Sequence, residues 1–404
     1  MTTLDEKFMY LAADNAPGQE VRQNTDQLEE IMRGGKLAGA PVDFSHGDVD
    51  AFPPTPGVVE AWQSGFELGG QQAYTEYRGA EPIREKLASR LAIFTGAPIS
   101  AEQELIITPG TQGALFLALA SVVEQQTRVA VIEPDYFANH KLVKFFGGEV
   151  IPIPLRYEAI ADDNGPDLEQ LEASFKNGTK VLVFSTPNNP TGLVYSEIPI
   201  NSIATLAAKF DVSVIVDQLY SRLLYSGETY THLRACKMLP ENLITIMGPS
   251  KTESLSGFRQ GTAFGSARLI DRMEKLQAIA SLRAAGYNQA ALNTWFEEPS
   301  GWMENRISQH EAIRNDLLEI FRTAGLSTTA PQAGSYLFPK LPPLDVATET
   351  FVRLLRYQAG VTVTPGSEFG STSSDSIRLN FSQDHAAAIA AASRIVNLVE
   401  RYRS

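Results

Sequence analysis

Ser250-Lys251-Thr252-Glu253-Ser254-Leu255-Ser256-Gly257-Phe258-Arg259-Gln260-Gly261 is the stretch from which the rest of the chain is read. A lysine amine can form an imine with an aldehyde, and an arginine fork can clamp a phosphate. Either residue alone is ordinary, because most lysines are solvated surface charges. At this spacing, among small residues, Lys251 and Arg259 describe a buried anion site with a nucleophile beside it.

The 404 residues are 43% hydrophobic and 20% charged, the composition of a soluble globular protein. That length suggests about two or three domains. A formal net charge of -13 argues against a nucleic-acid partner, which needs a basic surface, but leaves room for one small anion in a local basic pocket. The single cysteine, Cys236, cannot form an internal disulfide. The five histidines, His46, His140, His232, His310 and His385, show no metal-ligand spacing. The N-terminal segment carries Asp5, Glu6, Asp14 and Glu20 and lacks the basic-then-apolar pattern of a signal peptide. No apolar run reaches the ~20 residues needed to span a bilayer, so a membrane role is not expected and the cytoplasm is.

Outward from the lysine segment, short apolar runs alternate with helical patterns. Leu105 to Thr108, Arg128 to Ile132, Glu149 to Pro154, Lys180 to Ser185, Val212 to Asp217 and Leu243 to Met247 read as strands, and Ala114 to Val123 as a helix. Near-continuous apolar strands separated by helices predict a mostly parallel sheet sandwiched by helices, an α/β fold. A long helical pattern from Gln289 to Ala324 follows. Then come strand-like runs at Tyr336 to Pro339, Val361 to Val363 and Ile377 to Asn380, and a last helix from Asp384 to Tyr402. These describe a smaller α+β domain. The turn-rich Asp50-Ala51-Phe52-Pro53-Pro54-Thr55-Pro56-Gly57 marks a boundary. The expected division is a large domain at 50–288, and a small one made of 1–49 together with 289–404.

Ligands in such sheets sit at the carboxyl ends of the strands, and polar residues cluster there. Thr108-Pro109-Gly110-Thr111-Gln112-Gly113 opens a helix, either as a plain glycine turn or as a phosphate site using free amides and the helix dipole. Tyr136, after the next strand, packs in the core or stacks on a flat ligand. Thr186-Pro187-Asn188-Asn189-Pro190-Thr191-Gly192 is a rigid turn offering an amide side chain. Asp217 ends an apolar strand, where a carboxylate is costly to bury unless it meets a cation; a cap on a following helix is the plainer alternative. Arg378, within Ile377-Arg378-Leu379-Asn380-Phe381, wants a bidentate anion, either a ligand carboxylate or an internal salt bridge.

In this order and spacing, the lysine segment, Asn188-Asn189-Pro190-Thr191-Gly192, Asp217 with Tyr220, and Arg378 together resemble the class I (fold type I) aminotransferases, of the aspartate aminotransferase kind. Gly47-Asp48-Val49-Asp50 resembles that family's N-terminal element, and Tyr74-Thr75-Glu76-Tyr77-Arg78-Gly79 its tyrosine segment. The resemblance implies an enzyme that uses pyridoxal 5'-phosphate (PLP) to move an amino group from an L-amino acid to a 2-oxoacid through a lysine aldimine, with ping-pong kinetics. It implies Lys251 as the aldimine lysine and general base, and Asp217 as partner of the protonated pyridine nitrogen. It further implies Asn189 and Tyr220 at the ring oxygen and Tyr136 stacked on the ring. Gly110, Thr111, Gln112, Ser250 and Arg259 would hold the phosphate, joined by Tyr74 from the partner chain of a homodimer. Arg378 would bind the substrate α-carboxylate, with Gly47 and Asn189 beside it. Arg283 is either a surface residue or the partner chain's contact to a distal carboxylate.

The chain departs from the family pattern at four places. Gln218 stands for a glutamate, Thr186 for an asparagine and Val49 for a proline, while His46 precedes Gly47 where an aliphatic residue is common. His46 either borders the substrate side chain or satisfies itself locally. A β-lyase or a cyclopropane-forming synthase would need the same lysine, aspartate and arginine. A non-catalytic ligand sensor of this fold is disfavoured by the short segment before residue 50 and by the acidic charge.

Overall fold

The computed structural model describes residues 3–9, 11, 26–158 and 164–404; Asp14 and Glu20 of the acidic N-terminal segment lie outside them. After a short β1 (Val42–Asp43), eight strands build the main sheet: β2 (Leu105–Pro109), β3 (Arg128–Glu133), β4 (Glu149–Arg156), β5 (Gly165–Pro166), β6 (Val181–Ser185), β7 (Ser213–Asp217), β8 (Leu243–Met247) and β9 (Gln260–Gly265). Their order is β2-β9-β8-β7-β6-β3-β4-β5. The central run β8, β7, β6, β3, β4 is parallel, and β9 and β5 pair antiparallel.

Alternation along each strand explains why both faces are covered. In β3, Val129 and Val131 join a core with the helices Gly110–Val122 and Ala267–Ala280, while Ala130 and Ile132 join another with Leu168–Lys176 and Glu197–Lys209. Full burial of each such valine or isoleucine contributes about 1.5–3 kcal/mol. The expected strands are all present. The helix expected from Ala114 begins earlier, at Gly110, directly after β2.

A separate apolar core gathers Leu28, Phe44 and Phe52 with Ile313, Leu317, Phe351, Leu379 and Leu398, from both ends of the chain. Around it lie β1 with β11 (Val361–Thr362), and the sheet of β10 (Tyr336–Leu337), β13 (Ile377–Asn380) and β12 (Thr364–Pro365). The last helix, His385–Tyr402, starts where Asp384 accepts a hydrogen bond from the Ala387 amide.

One expectation fails here. The pattern from Gln289 to Ala324 is not one helix: a 3-10 turn at Ala290–Thr294 is followed by a break, and the helix proper is Trp302–Thr323. Phe296 and Gly301 adopt φ 65 and φ 79, and Pro299 stands between them, so no α-helix can run through. Apolar periodicity continues across the break because both pieces face a core.

Candidate active site

The loops leaving the carboxyl ends of β2, β3, β6, β7 and β8 open into one cleft of about 900 Å³, counting its open mouth. Thr111, Gln112, Tyr136, Asn189, Asp217, Tyr220, Ser250, Lys251, Arg259 and Arg378 all line it. A second cavity adjoins it across Lys251 and Tyr220 and is lined by His46, Gly47 and Asp48.

At one end, Gly110 opens the helix with φ 75. A Cβ there would lie 2.5 Å from Arg259 Nη2, so glycine lets the guanidinium approach the helix start. A Cβ on Gly261 would meet the Thr111 amide nitrogen at 2.4 Å, so the start of β9 also needs glycine to pass beneath that helix. Arg259 itself takes a left-handed φ of 52 and forms no ion pair among the described residues. Free helix amides, the Thr111 and Ser250 hydroxyls and this cation converge as a phosphate site would require. The Tyr136 hydroxyl donates to Gln112 Oε1 at 2.9 Å, which fixes its ring at the wall of the cleft.

The middle is built from β6 and β7. In the turn after β6, Asn188 faces inward: its Oδ1 accepts from the Thr191 hydroxyl at 2.7 Å, and its Nδ2 donates to the Pro134 carbonyl. That leaves Asn189 as the amide facing the cleft, its backbone N–H tied to the Ser185 hydroxyl. Ser185 in turn donates to Asp135, whose carboxyl burial pushes up to about 8. Asp217 ends β7 and accepts from the Leu219 N–H at 2.9 Å, so it closes a turn and caps no helix. Burial pushes its carboxyl up to about 6, with that N–H opposing. No basic side chain pairs with it among the described residues. A carboxylate held half-buried at the cleft wall without a cation beside it fits a protonated ring nitrogen, and its arrangement fits PLP. Gln218 turns to His232, 3.0 Å away, and does not line the cleft.

At the other end, Arg378 on β13 gives Nη1 to Asn189 Oδ1 at 3.0 Å and Nη2 to the Ser45 carbonyl at 3.1 Å. It has no carboxylate partner among the described residues, and its buried Nε has no hydrogen-bond partner. The internal salt bridge is therefore absent there, and an anion is wanted.

Behind the cleft, Arg222 lies between Glu253 and Glu298 and over the Phe296 ring at 4.0 Å. It ties the Tyr220 loop and the lysine loop to the segment before the Trp302–Thr323 helix. His46 contacts its own neighbours, Nδ1 at 3.0 Å from the Gly47 carbonyl and Nε2 at 3.5 Å from Asp43. Tyr74 and Arg283 do not line the cleft of their own chain. Tyr74 is 81% exposed, with the Arg283 guanidinium 5.7 Å from its ring centre.

Sequence reading missed Ser45, Ser185, Ser256 and Tyr336, which also line the cleft. Serines carry no distinguishing signal. Tyr336 enters through pairing: it stands opposite Asn380 on β13, so it shares a sheet face with Arg378.

Residues 41–395 match the family described as aminotransferase class I and II. The fold superposes on a crystal structure of an aspartate aminotransferase from Rhodobacter sphaeroides 2.4.1 with a TM-score of 0.95, at 58% identity over 100% of both chains. An aspartate/prephenate aminotransferase of Thermus thermophilus is 29% identical over 88% of this chain and 89% of its own. An aspartate aminotransferase of Pyrococcus horikoshii is 26% identical over 93% and 94%. Agreement over nearly the whole chain places it in the class I and II aminotransferases, and it is a transaminase that uses pyridoxal phosphate to pass an amino group from an amino acid to an oxoacid.

Proposed function

We propose that transamination takes place in this cleft with Lys251 as the reacting amine. The observation that carries this is the shared cleft itself: Lys251, half-buried Asp217 and carboxylate-free Arg378 line it together. PLP supplies an aldehyde that bonds to amines and a ring that takes up the electron pair of a departing Cα proton. Lys251 holds the cofactor at rest and, once displaced by substrate, takes and returns that proton. Asp217 keeps the ring nitrogen protonated. Tyr220 and Asn189 hold the ring oxygen, and Tyr136 lies on the ring. The Gly110 turn, Thr111, Gln112, Ser250 and Arg259 hold the phosphate. Arg378 takes the α-carboxylate, with Gly47 at the entrance. Donor and acceptor occupy one site in turn, so the kinetics are ping-pong. The deciding experiment is borohydride reduction of the holoenzyme followed by peptide mapping. The adduct is expected on Lys251; an adduct on another lysine overturns the assignment.

The assembly we propose is a homodimer with shared sites. Tyr74, Ile279 and Leu282 are exposed apolar side chains, and Arg283 spans Tyr74 and Tyr77. The guanidinium over two exposed rings, with exposed Leu282 next to it in sequence, is the kind of surface a partner chain would cover. Tyr74 and Arg283 would cross it to the partner's phosphate and distal-carboxylate positions. Aspartate aminotransferases among the similar proteins support a dicarboxylic donor. The separate cores support a small domain drawn from both ends of the chain beside a large one, the division proposed as 1–49 with 289–404 and 50–288, with Phe52 packing in the small core and Leu292 and Trp295 in a core of the large domain. We place the enzyme in the cytoplasm; no described helix is long and apolar enough to cross a membrane.

A further inference from the structure

One tyrosine that lines the cleft has been given no role so far. Tyr336 is 4% exposed, and its hydroxyl accepts from the Tyr220 hydroxyl at 2.8 Å. The two rings meet edge to face, 5.3 Å between centres. The other side of the contact is Arg378, whose guanidinium lies 4.4 Å from the Tyr336 ring centre.

Each of these contacts has a consequence. Tyr220 has one hydroxyl proton, and here it goes to Tyr336. A Tyr220 that donates to the cofactor's ring oxygen no longer has that proton to give. Tyr336 must then turn its own proton toward Tyr220 to keep the pair bonded. A hydroxyl that accepts a hydrogen bond becomes a stronger donor. The ring contact with Arg378 is of a different kind. An aromatic face holds a guanidinium without neutralising it, whereas an acid in the same place would cancel the charge that a substrate carboxylate needs.

We propose that Tyr336 is a positioning residue of this site, its hydroxyl sustaining the Tyr220 hydrogen bond to the cofactor and its ring holding Arg378 for the substrate carboxylate. The inference rests on the roles given above to Tyr220 and Arg378. The Arg378 and Lys251 charges favour a Tyr336 that donates, because they make its phenol more acidic. Burial pushes the Tyr336 phenol up, but the charges of Arg378 and Lys251 and the hydrogen bond from Tyr220 outweigh it, and the phenol falls below the ordinary tyrosine value. Burial, with Tyr336 itself, carries the Tyr220 phenol well above that value.

The two arms separate by substitution in the holoenzyme. Tyr336→Phe removes the hydroxyl and keeps the ring; Tyr336→Leu removes both. The first readout is the pH midpoint of the cofactor's visible absorbance. With Tyr220 donating less strongly, the ring oxygen keeps more charge for the neighbouring proton, so the midpoint should rise by roughly half to one pH unit in both variants. The second readout is the Kd of succinate, a carboxylate without an amino group. It should stay within about twofold in Tyr336→Phe and weaken by roughly threefold to thirtyfold in Tyr336→Leu. An unmoved midpoint in Tyr336→Phe, or equal succinate binding in Tyr336→Leu and wild type, overturns the proposal. If the wild-type protein itself shows no visible band, the roles proposed for Lys251 and Tyr220 fail instead, and the two failures are told apart.

Discussion

Asp217 and Arg378 are opposite charges kept apart and without ionic partners among the described residues. Asp217 has a folded-state carboxyl raised to about 6 by burial. Because that value lies above the unfolded one, its contribution is fully present below about pH 4 and is lost as pH rises through about 6. At pH 8 the cofactor-free protein therefore bears a partly buried charge, at a cost of no more than about 3 kcal/mol. Asp217→Asn should raise the apo melting temperature at pH 8 and leave it little changed at pH 4, while the holoenzyme loses turnover. Equal melting shifts at both pH values would contradict the burial account. Arg378→Ala should lower kcat/KM for every amino donor by about 2–5 kcal/mol, the cost of truncating one partner of a buried charge pair. Lysine at this position should restore only part, having no planar fork. These two residues were legible in the sequence, since a charge embedded in an apolar run must have a partner. Tyr336 was not, because a tyrosine in a strand is unremarkable until its strand is paired with that of Arg378.

The parallel strands were readable because burial on both faces makes them continuous apolar runs. β9 escaped that reading. Gln260-Gly261-Thr262-Ala263-Phe264-Gly265 is broken by glycine and polar residues. Its composition answers to the helix it passes, since any Cβ at Gly261 would strike the Thr111 amide. The break before the Trp302–Thr323 helix escaped for another reason: periodicity records which face is buried, not whether the backbone is continuous. The strand-to-helix junction at Gly110 yields a test. Gly110→Ala forces an alanine into a left-handed φ, at about 1–2 kcal/mol, and presses on Arg259 Nη2. Affinity for pyridoxal phosphate should fall, while affinity for pyridoxal, which has no phosphate, should change little. Parallel losses for both ligands would mean that the junction shapes the whole cleft and not its phosphate end.

At the scale of the molecule, the question is which chain completes which site. Tyr74 and Arg283 sit together outside their own cleft, with exposed Leu282 next to Arg283 in sequence and exposed Ile279 near the end of the preceding helix. If both cross to a partner, Arg283→Ala should impair aspartate and glutamate far more than alanine or an aromatic donor, as measured by kcat/KM. Crossing also makes a prediction about mixtures. Lys251→Ala chains lack the reacting amine, and Tyr74→Ala chains lack the group given to the neighbour. Neither homodimer should work well. In a hybrid dimer, the site that keeps Lys251 receives an intact Tyr74 from the other chain, while the second site lacks both. Random reassociation of equal amounts makes half the dimers hybrid, each with one good site, so about a quarter of wild-type activity should return. Activity no higher than the average of the two separate variants would place Tyr74 at its own chain's site or at none. Recovery requires exchange between chains through this surface, so Leu282→Asp, which puts a charge on the exposed apolar side chain next to Arg283, should yield a monomer by sedimentation and abolish the complementation.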